Sequence, residues 1–192
     1  MKTILPEKRI ILASKSPRRQ ELLKGLDIAF EVRTKDVNED FPAELPDNQV
    51  ASFLAEKKAA AFEMDLKEGE ILITSDTTVL INNKVLNKPA DKVEAVKMLK
   101  MLSGNVHHVI SGVCIMDQHK KVVFDDITEV HFKHLSDDEI DHYIDKYQPF
   151  DKAGSYGVQE WIGYAAVYRL EGSFYTVMGL PVHKVYETLK NW

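Results

Sequence analysis

Ile10-Ile11-Leu12-Ala13-Ser14-Lys15-Ser16-Pro17-Arg18-Arg19-Gln20-Glu21-Leu22-Leu23 passes from an apolar run into a proline-led, charged segment within a few residues. The apolar residues 10–13 predict a buried strand. Pro17, whose fixed φ suits the first helical position, predicts a helix over 17–23 with Ser16 at the N-cap. The N–H groups at a helix start have no intrahelical partner and carry partial positive charge. Around them stand the Ser14 and Ser16 hydroxyls and the forked donors of Arg18 and Arg19, which match phosphate oxygens in geometry. A strand feeding such a helix is a candidate polyphosphate cradle. The same residues also suit a capped surface helix with solvated arginines, so this segment alone leaves both readings open.

Outward from it, residues 28–32 alternate as a second strand, and 34–47 is acidic and proline-punctuated, as a loop would be. Val50, Phe53, Leu54, Ala61 and Phe62 predict a helix over 48–66 that also carries Glu56, Lys57 and Lys58. Residues 70–75 read as a central strand that halts at Asp76-Thr77-Thr78 and resumes over 79–81, before the hairpin turn Asn82-Asn83-Lys84. Asp91 and Glu94 predict a capped helix reaching 102, and Ser136 starts another reaching 147. Two long strands, 106–116 and 122–132, lie between them. A loop with Gly154 and Gly157 covers 148–159, a strand hairpin over 164–170 and 174–178 encloses Glu171-Gly172-Ser173, and 181–189 closes the chain as a helix. This is a mixed α/β pattern with long hairpins, expected to form a single domain, 1–192, rather than a doubly wound fold.

Composition narrows the function classes. The chain has 192 residues and a formal charge of −5, ample for a core and contrary to a broad basic face for nucleic acid; a small anionic ligand fits better. The one cysteine, Cys114, excludes an intramolecular disulfide and reads as a core strand residue. Residues 1–9 lack the apolar stretch of a signal peptide and no run is long enough to span a bilayer, so a cytoplasmic protein without a membrane partner is expected.

Asp76 is the second candidate for chemistry. A carboxylate ending a buried apolar strand needs a cation, either a divalent metal or a nearby lysine, and a carboxylate so placed can take a proton from water; it can equally be a turn residue. Lys57 on the long helix and Lys88 before Pro89 are possible phosphate contacts, or solvated surface lysines. Gln159 closes a loop whose glycines permit close backbone approach to a ligand, and its amide could read a base edge. Glu39, in an acidic loop, could ligate a metal or, as is commoner for such loops, simply be solvated. The histidines are not spaced as a zinc site: His107 and His108 face opposite ways on a strand, as do His131 and His134. No nucleophile elbow, P-loop or dinucleotide fingerprint occurs.

Taken in order, residues 12–23, Glu56-Lys57, Ser75-Asp76-Thr77, Asn87-Lys88-Pro89, Ser103-Gly104, Ser111-Gly112-Val113, residues 151–159 and Gly179-Leu180-Pro181 resemble the Maf family of nucleoside triphosphate pyrophosphatases. The resemblance implies a fold related to the inosine-triphosphate pyrophosphatases, with a central mixed β-sheet and two lobes flanking a deep cleft, and a homodimer. It implies hydrolysis between the α and β phosphates of a nucleoside triphosphate with Mg²⁺ or Mn²⁺. Asp76 then matches the general base, and Ser14, Ser16, Arg18, Arg19, Lys57 and Lys88 match the triphosphate contacts, while Glu39 and Asp76 match the metal carboxylates. Arg18 after Pro17, Thr77 after Asp76 and Gln159 resemble the branch acting on dTTP and UTP. Departures are Glu160, which puts charge beside Gln159, Asn87 before Lys88, and Ser111 where threonine is frequent. A nucleotide-sensing regulator of cell division is the competing expectation; it would not need the general base.

Overall fold

The computed structural model describes residues 7–192; residues 1–6, part of the stretch searched for an apolar leader, lie outside the described residues. Seven strands form one mixed sheet: β1 (Arg9–Leu12), β2 (Phe30–Val32), β3 (Glu70–Ile81), β4 (Lys84–Leu86), β5 (Val106–Met116), β6 (Lys121–Phe132) and β7 (Val167–Glu171). Their order is β2-β1-β3-β5-β6-β7, with β4 paired to β3. β1 runs parallel to both β2 and β3, whereas β3–β4 and β6–β7 are antiparallel. The helices are α1 (Pro17–Lys24), α2 (Val50–Ala60), α3 (Lys92–Leu102), α4 (Asp137–Tyr147), α5 (Trp161–Ala166), α6 (Phe174–Met178) and α7 (Val182–Lys190). None among the described residues is long and apolar enough to cross a membrane.

The chain divides into two compact units. The first comprises the described residues through Asp76, Ser111–Asp126 and Gly179–Trp192; the second comprises Thr77–Ile110 and Ile127–Met178. In the first unit, Ile11, Leu72, Cys114 and Met116 from the strands pack with Ala55, Ala59, Phe62 and Leu66. Cys114 is the core residue expected, its thiol pushed up to about 12 by burial. α2 lies unusually close to the sheet because its buried stripe is small: Ala51, Ala55 and Ala59, spaced by four, are fully buried. Gly112 completes this approach, since a Cβ there would sit 2.3 Å from the Ala51 carbonyl carbon. The Thr74 hydroxyl donates to the Ala55 carbonyl at 2.6 Å and fixes the helix over β3.

In the second unit, Val79, Ile81, Val109, Val130 and Phe132 pack against Ala95, Met98 and Leu99 of α3 and against Ile140, Tyr143 and Ile144 of α4. Asp91 caps α3 by accepting from the Glu94 N–H at 2.8 Å, and Ser136 with Glu139 closes the capping box of α4.

Three expectations from sequence differ. β3 runs unbroken from Glu70 to Ile81, so Asp76 stands inside a strand and is not a turn residue. The helix expected over 48–66 ends at Ala60, and a short 3₁₀ turn follows at Glu63–Asp65. The strands expected over 164–170 and 174–178 are instead α5 followed by β7, and α6. Phe174–Met178 has strand-forming side chains, but its start is held by Thr128, whose hydroxyl accepts from Ser173 N at 2.9 Å and donates to Ser173 O at 3.0 Å. Val177 N–H then closes a helical turn onto Ser173 O, so tertiary contacts override strand propensity.

A buried ion pair opens β3. Glu70 is fully buried and accepts from both terminal nitrogens of Arg33, at 2.7 and 2.8 Å, with Arg9 at 3.1 Å. The Arg33 hydrogen bonds hold its carboxyl at about 2, below the ordinary 4.5. A depressed folded pKa stabilises above the unfolded value and loses that contribution as pH falls through the folded one. Acid unfolding followed by circular dichroism should therefore steepen as pH falls from 4.5 towards about 2. Glu70→Gln should remove that slope and cost about 3 kcal/mol at neutral pH in a urea titration, as for other broken buried pairs.

Candidate active site

In the first unit, α1 starts as the sequence predicts, with Pro17 at its first position and Ser16 in extended conformation at the N-cap. Ser16 makes no side-chain cap bond, so its hydroxyl is not spent on the helix. Ser14 is buried and its hydroxyl accepts from Ser16 N–H at 3.2 Å, which folds the turn between β1 and α1. Arg18 and Arg19 follow on the first turn of α1. Arg19 ties three segments together: Nε donates to Gly179 O at 2.9 Å and one terminal nitrogen to Ser75 O at 2.8 Å. The Ser75 hydroxyl donates to the same Gly179 carbonyl at 3.0 Å. Burial pulls the Arg19 guanidinium below its ordinary range, while the Asp76 and Glu39 carboxylates oppose that shift. The candidate cradle and the candidate base are thus neighbours, joined through the residue preceding Asp76.

Asp76 is 8% exposed, and its Oδ1 lies 2.5 Å from Lys58 Nζ. The same ammonium lies 2.7 Å from Glu39 Oε1. The cation that burial of Asp76 demands is therefore Lys58, and it brings Asp76 and Glu39 together as expected of two carboxylates sharing a positive charge. Lys57, by contrast, donates to the Asp40 backbone carbonyl at 2.7 Å. The structure places Lys58, not Lys57, at the carboxylates. The sequence carried a signal for this: Lys58 lies between the buried Ala55 and Ala59 and four residues after Leu54, whereas Lys57 falls at the edge of that stripe. Asp76 and Glu39 supply only oxygen donors around one positive charge, a set that fits a hard divalent cation such as Mg²⁺ or Mn²⁺.

The second unit holds the remaining candidates. Thr77 continues β3, Lys88 is exposed between β4 and α3, and Gln159 lies just before α5. Gln159 Oε1 is buried and meets no hydrogen-bond donor. Glu160 turns its charge inward: the Tyr143 hydroxyl donates to Oε2, and Lys152 Nζ lies 3.1 Å from Oε1. Burial first, and then this carboxylate, push the Tyr143 phenol up, and its oxygen accepts from Gly157 N–H at 3.0 Å. The charge beside Gln159 is thereby held by a hydroxyl from α4 and by an ammonium that Asp151 shares at 2.8 Å. Gly154, read as allowing close approach to a ligand, has a structural reason to be glycine: its φ is +66°, and a Cβ would lie 2.9 Å from Val79 Cγ2.

Removing the ammonium should leave Asp76 buried without its cation. In urea titrations, Lys58→Met should cost about 3 kcal/mol of stability, as for other buried pairs broken on one side, whereas Lys57→Met should cost under about 1 kcal/mol.

The chain matches the family described as Maf-like protein over residues 9–192. A dTTP/UTP pyrophosphatase of Porphyromonas gingivalis is 50% identical over 191 residues, covering 98% of this chain and 96% of the relative. A dTTP/UTP pyrophosphatase of Flavobacterium johnsoniae is 51% identical over 189 residues, covering 98% and 97%. A solved HAM1 protein from Coxiella burnetii aligns with a TM-score of 0.43 at 15% identity, over 65% of this chain and 73% of its own. With a family match over nearly its whole length and half-identical relatives, the chain belongs to the Maf-like proteins.

Proposed function

We propose that this protein is a dTTP/UTP pyrophosphatase, releasing the nucleoside monophosphate and pyrophosphate, and that residues 1–192 form one catalytic domain. Relatives that carry this activity in their names and share half of its residues end to end support the substrate class. One observation carries the catalytic reading: a buried carboxylate, Asp76, held ready by Lys58 in company with Glu39.

In this reading Asp76 takes a proton from the attacking water as the water oxygen bonds to the α-phosphorus; the bond to the bridging oxygen breaks and pyrophosphate leaves. Lys58 sets a positive charge beside Asp76 and, together with Lys57, is a cation for the phosphates. Ser14, Ser16, Arg18, Arg19 and Lys88 bind the triphosphate, matching its negative charge with hydroxyls and fixed cations. Glu39 and Asp76 would hold Mg²⁺ or Mn²⁺, which when bound supplies positive charge against the phosphate oxygens. Arg18, Thr77 and Gln159 select the base. The buried, unpartnered acceptor on Gln159 suits thymine and uracil, which each present an N3–H that can donate to it, and not cytosine, whose N3 is an acceptor. With Glu160 held by Tyr143 and Lys152, the choice rests on Gln159 and not on the neighbouring charge. The same reading makes the protein a homodimer, as its family resemblance implies, and places it in the cytoplasm.

Incubation with Mg²⁺ or Mn²⁺ and a panel of nucleoside triphosphates should yield pyrophosphate from dTTP and UTP, and Asp76→Asn should lower kcat about 100-fold or more. Absence of pyrophosphate from both nucleotides, or an unchanged rate in Asp76→Asn, contradicts the proposal; orthophosphate as the product indicates a different phosphohydrolase.

A further inference from the structure

β6 and β7 carry a donor set that the pyrophosphatase reading does not use. Their antiparallel register sets Glu129 directly opposite Glu171, and His131 opposite Arg169. Like charges directly opposite one another on a sheet destabilise it, so this pair calls for a cation. Residues two apart on a strand share a face, which puts His131 beside both carboxylates. One ligand atom from each of Glu129, His131 and Glu171 lies within 4.8 Å of the others. His131 Nε2 is 2.8 Å from Glu129 Oε1 and 3.4 Å from Glu171 Oε1, yet this buried nitrogen forms no hydrogen bond with either. A polar atom buried at that proximity and left without a hydrogen bond is short of a partner.

We propose that Glu129, His131 and Glu171 bind a divalent transition metal of the Zn²⁺, Co²⁺ or Mn²⁺ class, clasping β7, at the end of the sheet order, to β6. One imidazole nitrogen with two carboxylate oxygens suits such borderline ions, and two carboxylates with a neutral imidazole balance a dication. The spacing of the histidines concealed the site, because the partners of His131 are glutamates and one of them comes from the neighbouring strand. Two basic side chains already touch the cluster. Arg169 reaches Glu171 Oε1 at 2.8 Å, and His108 Nε2 lies 3.5 Å from Glu129 Oε2. Arg169 is the built-in competitor that a metal must displace from Glu171.

The test uses the full chain carrying Glu39→Gln and Asp76→Asn, so that the proposed catalytic carboxylates cannot hold the probe ion. Co²⁺ titration followed by visible absorption, with thermal unfolding in parallel, should give about one bound equivalent and a raised Tm, because an ion that binds only the folded state stabilises it. Adding Glu171→Gln, at a half-exposed position, or His131→Ala should abolish both signals, and Arg169→Gln should tighten binding. No Co²⁺ retained in the starting protein, or a signal that survives either ligand substitution, overturns the proposal.

Discussion

A carboxylate inside a buried strand is the constraint on which the first unit is organised. Asp76 stands within β3, and a charge so placed is tolerated only with a cation at hand. That cation arrives on α2, and it arrives in reach only because the helix rests almost backbone to backbone on the sheet. Ala51, Ala55 and Ala59 keep the helix face thin, Gly112 leaves room beneath Ala51, and Thr74 fixes the height through the Ala55 carbonyl. Larger residues on this face would lift α2 and carry Lys58 away from Asp76. The packing of small apolar residues thus sets the electrostatics of the candidate site.

A second device connects that carboxylate to the turn between β1 and α1. Arg19 donates to the carbonyls of Ser75 and Gly179, so the residue before Asp76, the first turn of α1 and the segment before α7 share one guanidinium. Planar, forked donors suit this bracing task, which a lysine could not perform on two carbonyls with the same rigidity. Arg19 therefore serves the architecture of the turn as well as its positive potential. In the second unit the comparable device is the loop around Gln159, where Tyr143 and Lys152 hold Glu160.

Much of this was legible in the sequence wherever a local rule governs. The Pro17 helix start, the Asp91 cap, the Ser136 capping box and the long β5 and β6 strands follow from short-range chemistry and periodicity, and the structure contains them. Asp76 and Glu39 were both singled out as possible carboxylate ligands, and they meet on one ammonium. The errors arose where long-range contacts decide. The polar Asp76-Thr77-Thr78 run looked like a strand end, but pairing within the sheet and the Lys58 contact carry β3 through it. Phe174–Met178 has the composition of a strand, and Thr128, far away in sequence, starts it as a helix. Lys58 as the partner of Asp76 was missed because the large apolar residues of α2 stand out in sequence, whereas its small alanines mark the fully buried face.

The central claim is that Lys58 and Asp76 act as one unit, and a double-mutant cycle addresses it most directly. Unfolding free energies would be measured for the wild type, Lys58→Met, Asp76→Asn and the double variant. The account predicts a coupling energy of roughly 1–3 kcal/mol, with the double variant less destabilised than the sum of the single ones. Additivity within about 0.5 kcal/mol would show two independent side chains and contradict it.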